Sequence, residues 1–153
     1  MTAVELDLEL PPPEQAQPFS RADLTFYGLD HSGPSYTVHV YFDAPGATID
    51  TPQTAGAGYV GSFTVFGHGG CFGEEGHCDV REPVSAFDRR PPHQLVPATR
   101  VLIATDAVRR STAAGADTVH VTAVAEVRES TLADLPAADD VLVVDQVALH
   151  TYL

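Results

Sequence analysis

Both cysteines and two of the seven histidines of this chain fall within one short stretch, His68-Gly69-Gly70-Cys71-Phe72-Gly73-Glu74-Glu75-Gly76-His77-Cys78-Asp79. Its glycines mark a turn-rich connection in which Cys71 and Cys78 can approach each other. Two chemistries fit. As a disulfide the pair closes a loop of about eight residues, worth about 2.5 kcal/mol in the chain-entropy model. As thiolates, Cys71 and Cys78 would join His68, His77 and, within reach, His93 in a site for a soft metal, copper ahead of zinc. The Cys-x6-Cys spacing matches no standard zinc-finger pattern. An electron-transfer blue-copper centre normally adds a weak axial Met or Gln. The single methionine is Met1, which argues against that version.

Other chemistry-bearing residues carry weaker patterns. Ser62 in Gly61-Ser62-Phe63 is not a Gly-x-Ser-x-Gly nucleophile elbow, because position 64 is threonine. Gly67-His68-Gly69-Gly70 lacks the Lys-Ser/Thr that completes a phosphate loop. Glu74-Glu75 reads as a solvated acidic turn. His39 and His120 lie on alternating segments whose apolar neighbours face the other way. Each is expected to be an exposed polar-face residue, and the two would meet only if their strands are neighbours. No catalytic constellation emerges.

The elements that must position these residues are strands. Apolar residues alternate at period two over Val4–Leu10, Tyr36–Phe42, Val60–Phe66, Val119–Val127 and Val141–Leu149, with shorter candidates at Leu24–Leu29 and Thr99–Ala104. Thr105 or Asp106 could cap a short helix through Ala107–Arg110, ended near Gly115. Ala44–Gly58 and Ser130–Asp140 read as loops. The stretch from Gly67 to Pro97 is far longer than the median connection of about 4–6 residues, so something should order it: a metal, a disulfide or a partner. The pattern predicts an all-β chain, an antiparallel β-sandwich with one short helix. Its 153 residues fit a single domain.

The formal net charge is −13, and the basic residues are all arginine. That balance disfavours a phosphate-tracking surface, so nucleic acid is not an expected partner. The missing lysine is read as high-GC bacterial codon usage. Met1–Glu9 lacks the basic and apolar regions of a secretory signal, and no apolar run approaches the ~20 residues of a membrane span. A cytoplasmic location follows as the expectation, with export alongside a partner as the other route; a reducing compartment would disfavour the disulfide.

At Tyr59-Val60-Gly61-Ser62-Phe63-Thr64-Val65-Phe66-Gly67-His68-Gly69 the chain resembles the C-terminal, cupredoxin-like β-sandwich domain of tyrosinases, polyphenol oxidases and molluscan haemocyanins. Tyr36–Pro45, Pro91–Val101 and Asp117–Val127 resemble further segments of that domain in the same order, over roughly residues 24–150. The resemblance implies a domain that does no chemistry itself. It packs over the dinuclear copper site of a helical domain and often inserts a bulky residue there, for which Phe72 is the candidate. The chain has neither the copper-binding helical bundle nor its His-x3-His pairs, so it is not expected to oxidise substrates alone. The resemblance therefore implies an accessory protein or small subunit acting in trans on a tyrosinase-like copper protein. The alternative is a stand-alone copper or zinc metalloprotein using His68, Cys71, His77, Cys78 and His93. A third reading is a structural sandwich that forms a homo-oligomer through a sheet face.

Overall fold

The computed structural model describes residues 3–11, 19–31, 33–67, 97–127 and 141–153. They form seven strands: β1 (Ala3–Glu9), β2 (Arg21–Leu29), β3 (Tyr36–Phe42), β4 (Tyr59–Val65), β5 (Ala98–Ile103), β6 (Thr118–Val127) and β7 (Gln146–Tyr152). A 3-10 turn, Ala55–Ala57, precedes β4, and helix α1 (Thr105–Ala113) joins β5 to β6. The strands make two sheets, ordered β1-β6-β3-β4 and β5-β2-β7, with every neighbouring pair antiparallel. The expected all-β sandwich is what forms.

Alternation explains the packing. Val38 and Val40 of β3, Val119, Val121 and Ala123 of β6, and the inner residues Val4, Leu6 and Leu8 of β1 point between the sheets. Ala22, Leu24 and Phe26 of β2, with Val147 of β7, meet them from the other side. The Phe26 and Phe63 rings, 4.9 Å apart between centroids, tie the middle of the smaller sheet to edge strand β4. Burying side chains of this size contributes about 1.5–3 kcal/mol each, which is what holds two sheets face to face. Strand β2 departs from simple alternation because it is central. Its outward Asp23 and Thr25 are buried too, and Asp23 accepts a 2.6 Å hydrogen bond from Arg21 Nε.

Several boundaries differ from the sequence expectation, among them the start of β2, at Arg21 and not Leu24. The last strand was expected over Val141–Leu149 but runs Gln146–Tyr152. The ladder between β2 and β7 ends at Tyr27, and the next residue, Gly28, leaves the extended conformation at φ +69°, where a Cβ would collide with the Asp145 carboxylate. Continuous β2–β7 pairing starts only at Tyr27–Gln146, so residues 141–145 make isolated bonds such as Asp30 N–H to the Val143 carbonyl. Helix α1 begins earlier than expected, with Ala104 at the N-cap and no side-chain cap. The Thr105 hydroxyl is engaged elsewhere, accepting the Ala22 N–H at 3.0 Å and so tying the helix start to β2. Buried Ala107 and Val108 seat the helix, and the Arg109 guanidinium lies over the Phe19 ring at 5.5 Å.

Candidate functional site

Residues His68, Cys71, Phe72, His77, Cys78 and His93, expected from sequence to form a metal site, a disulfide or a shielding tip, lie outside the described residues, as does Glu74-Glu75. The structure describes the strand ends on either side of them. Buried Val65 ends β4 beside Tyr36 at the start of β3, and Phe66 then turns outward, 73% exposed. Gly67 follows, its N–H donating to Ser35 Oγ at 3.0 Å. A Cβ on Gly67 would stand 2.2 Å from the Gly33 carbonyl oxygen and 2.3 Å from the Pro34 carbonyl, both rigid backbone, so only glycine allows this approach. Ala98, where β5 begins, pairs with Leu29. Both ends of the 68–96 segment therefore belong to the end of the sandwich that carries the β2–β3 turn.

Tyr36 anchors that turn. Its buried ring directs the hydroxyl to the Asp30 carbonyl at 3.0 Å. Burial pushes the Tyr36 phenol up to about 12, with the Asp30 charge adding to the shift and Arg100 opposing it. The folded chain thus holds the neutral phenol more strongly than the unfolded chain does. Stability from this group is complete below pH 10 and is lost as pH rises through about 12. Thermal melts of the native chain should fall between those pH values, and Tyr36→Phe should fall less steeply over the same window. Equal slopes would contradict this assignment.

The outer face of the four-stranded sheet holds the polar side chains. Strands β3 and β6 are neighbours, as a meeting of His39 and His120 requires, but the register sets His39 opposite Val124. His120 lies four residues further along β6, about 13 Å away at the usual rise per residue, so the two rings do not meet. Each instead has its own carboxylate. His39 Nε2 is 2.8 Å from Glu126 Oε2, and His120 Nδ1 is 2.8 Å from Asp7 Oδ1. A carboxylate accepts and does not donate, so the bonded ring nitrogen carries the proton in each case. The opposite nitrogens, His39 Nδ1 and His120 Nε2, are buried and have no hydrogen-bond partner.

His39 corrects the expectation of an exposed polar-face histidine: its side chain is only 7% exposed. A second apolar cluster covers this part of the face, formed by Tyr41, Val124 and Ala47 with Ala44 and Tyr59 packed on it. The Tyr41 and Tyr59 rings are 5.4 Å apart, and the Tyr41 hydroxyl donates to the Thr51 carbonyl at 2.9 Å. The β3–β4 connection thus folds back over its own sheet. Sequence reading missed Glu5, Asp7 and Glu126 as partners, because partnership across strands depends on register. A large aromatic at position 41, on the polar phase of β3, was the available signal for a covering loop.

Among the described residues, no three His, Cys, Asp or Glu side chains converge into a metal site, and no helix is long and apolar enough to cross a membrane.

The fold has counterparts among solved structures. A latent aurone synthase (polyphenol oxidase) from natural source superposes with a TM-score of 0.56 at 15% identity, covering 98% of this chain and 24% of that one. The recombinantly expressed latent aurone synthase gives a TM-score of 0.56 at 13% identity, with the same coverages. At such identities the likeness establishes a shared fold, as the sequence resemblance implied. The chain spans about a quarter of the length of those proteins. No family model and no curated protein matches the sequence.

Proposed function

We propose that the chain is a non-catalytic accessory protein that covers the copper site of a tyrosinase-type oxidase in trans. The observation that supports this most is the coverage: 98% of the chain finds its fold within 24% of a polyphenol oxidase chain. The solved structures are of a latent enzyme, the state in which a shielding domain would be in place. The physical logic is that an assembled dicopper centre is reactive and needs water and stray phenols excluded until it is used. A rigid sandwich provides that cover because its two sheets are fixed by a common core and one long connection is free to carry specificity. Phe72, in that connection, is the side chain proposed to enter the partner's site.

The test is a titration of the purified chain into a copper-loaded, tyrosinase-type helical domain, following diphenol oxidation. Saturable inhibition near one equivalent is the expected result, with Phe72→Ala raising the concentration needed at least tenfold. Unchanged oxidation at a large excess would refute the shielding role. Copper retained by the chain alone, and lost in Cys71→Ser and His77→Ala, would instead favour a stand-alone metalloprotein with His68, Cys71, His77, Cys78 and His93 as ligands.

A further inference from the structure

We propose that Phe66 is the anchor by which the chain seats on its protein partner, the ring entering an apolar pocket beside the copper site of a tyrosinase-type helical domain. The inference rests on the shielding role proposed above and adds the surface through which that role would act. Phe66 is 73% exposed, more than any other aromatic side chain among the described residues. The preceding apolar residues of β4 behave differently: Val65 is buried and Phe63 packs on the core.

The ring is held out on a fixed frame. Val65, one residue before it, pairs with Tyr36. Arg100 of β5 donates from Nε to the Thr64 carbonyl at 3.2 Å, tying this strand end to the other sheet. Gly67, one residue after it, donates its N–H to Ser35 Oγ at 3.0 Å and lies too close to the Gly33 and Pro34 carbonyls for any side chain. The backbone on both sides of Phe66 is therefore pinned while the ring stays in water. An aromatic side chain presented on a rigid backbone loses little freedom when it binds, and such residues carry much of the energy of protein interfaces.

The surroundings suit a protein contact. Thr64, two positions back on the same face, pairs with Thr37 of β3, their hydroxyls 3.4 Å apart. These neutral groups form the kind of polar rim that surrounds an interface anchor. Glu126, opposite Thr37, is taken by His39. Glu5 and Asp7 stand on β1, the far edge of the same sheet. In a chain of net charge −13, the β4 edge keeps those carboxylates away from the contact.

Chain length commits the occupant. Phe72, the side chain proposed to enter the copper site, follows Phe66 by six residues, which reach at most about 20 Å. An interface of ordinary size, about 800 Å² on each partner, is a disc about 30 Å across. Both residues therefore fit under one partner.

The test is biolayer interferometry of the full chain on an immobilised, copper-loaded tyrosinase-type helical domain, with melting temperatures measured alongside. Phe66→Ala should weaken binding at least tenfold, mainly through faster dissociation, and leave the melting temperature in place. Ile49→Ala, a control at an apolar side chain 46% exposed on the β3–β4 connection, should bind within twofold of the native chain. At saturating concentration the Phe66→Ala chain should still suppress diphenol oxidation, because Phe72 is intact. A native chain that binds and inhibits, with Phe66→Ala binding equally well, would overturn the anchor and leave the shielding role standing. A native chain that does not bind would overturn both.

Discussion

Phe26→Ala is expected to destabilise the fold by about 3–5 kcal/mol, the usual cost of removing a fully buried aromatic ring. Phe26 has no solvent exposure, lies at the middle of the central strand of the three-stranded sheet, and meets Phe63 of the opposite sheet at 4.9 Å. Its loss removes one half of the contact that joins the sheets, and the strands on either side, β5 and β7, hold the backbone too firmly for collapse to fill the space. For a chain of this size each kcal/mol moves the melting temperature by roughly 2–4 °C, so a drop on the order of 10 °C is expected. Val101→Ala is the matched control. It lies on β5 across from Thr25 but faces outward, 51% exposed, and should cost no more than about 0.5 kcal/mol. Urea titrations of the two variants measure both numbers. Equal costs would contradict the assignment of inner and outer faces.

Tyr41→Ala is expected to cost about 3 kcal/mol or more, although Tyr41 lies on the face that alternation assigns to solvent. The residue has no exposure because Ala44 and Ala47 of the β3–β4 connection and Tyr59 of β4 pack around it. Tyr41→Phe should cost only about 0.5–1.5 kcal/mol, the value of the hydroxyl's bond to the Thr51 carbonyl. The alanine variant should also speed hydrogen exchange at Gly46 and Thr48, whose amides are held by Glu5 and Thr51 within the same covering segment. A cost below about 1 kcal/mol for Tyr41→Ala would mean that the connection is not packed on the sheet.

These two residues show how far the sequence could be read. Phe26 was legible as part of a short apolar strand, and β3 came out with the boundaries that its alternation predicts. Period-two patterning decides which face is buried because one face is dry, and that information is local. Tyr41 was placed on the correct face but its environment was not foreseen, because it depends on a loop of Pro, Gly and Thr returning over the sheet. The same limit applies to His39 and His120. Their shared face follows from alternation; their separation and their partners Glu126 and Asp7 follow from register, which no single strand contains. Gly28, where the β2–β7 ladder stops and the β2–β5 register shifts, is a further case, since a glycine in a strand signals an irregularity without saying which pairing it interrupts. The cluster at His68–His93 was the strongest chemical signal in the sequence, and it falls outside the described residues.

The proposed shielding role is tested most directly by sedimentation velocity of the chain mixed with a copper-loaded, tyrosinase-type helical domain. A one-to-one complex that oxidises diphenols more slowly than the helical domain alone is the expected result. Two independently sedimenting species, with oxidation unchanged, would contradict it.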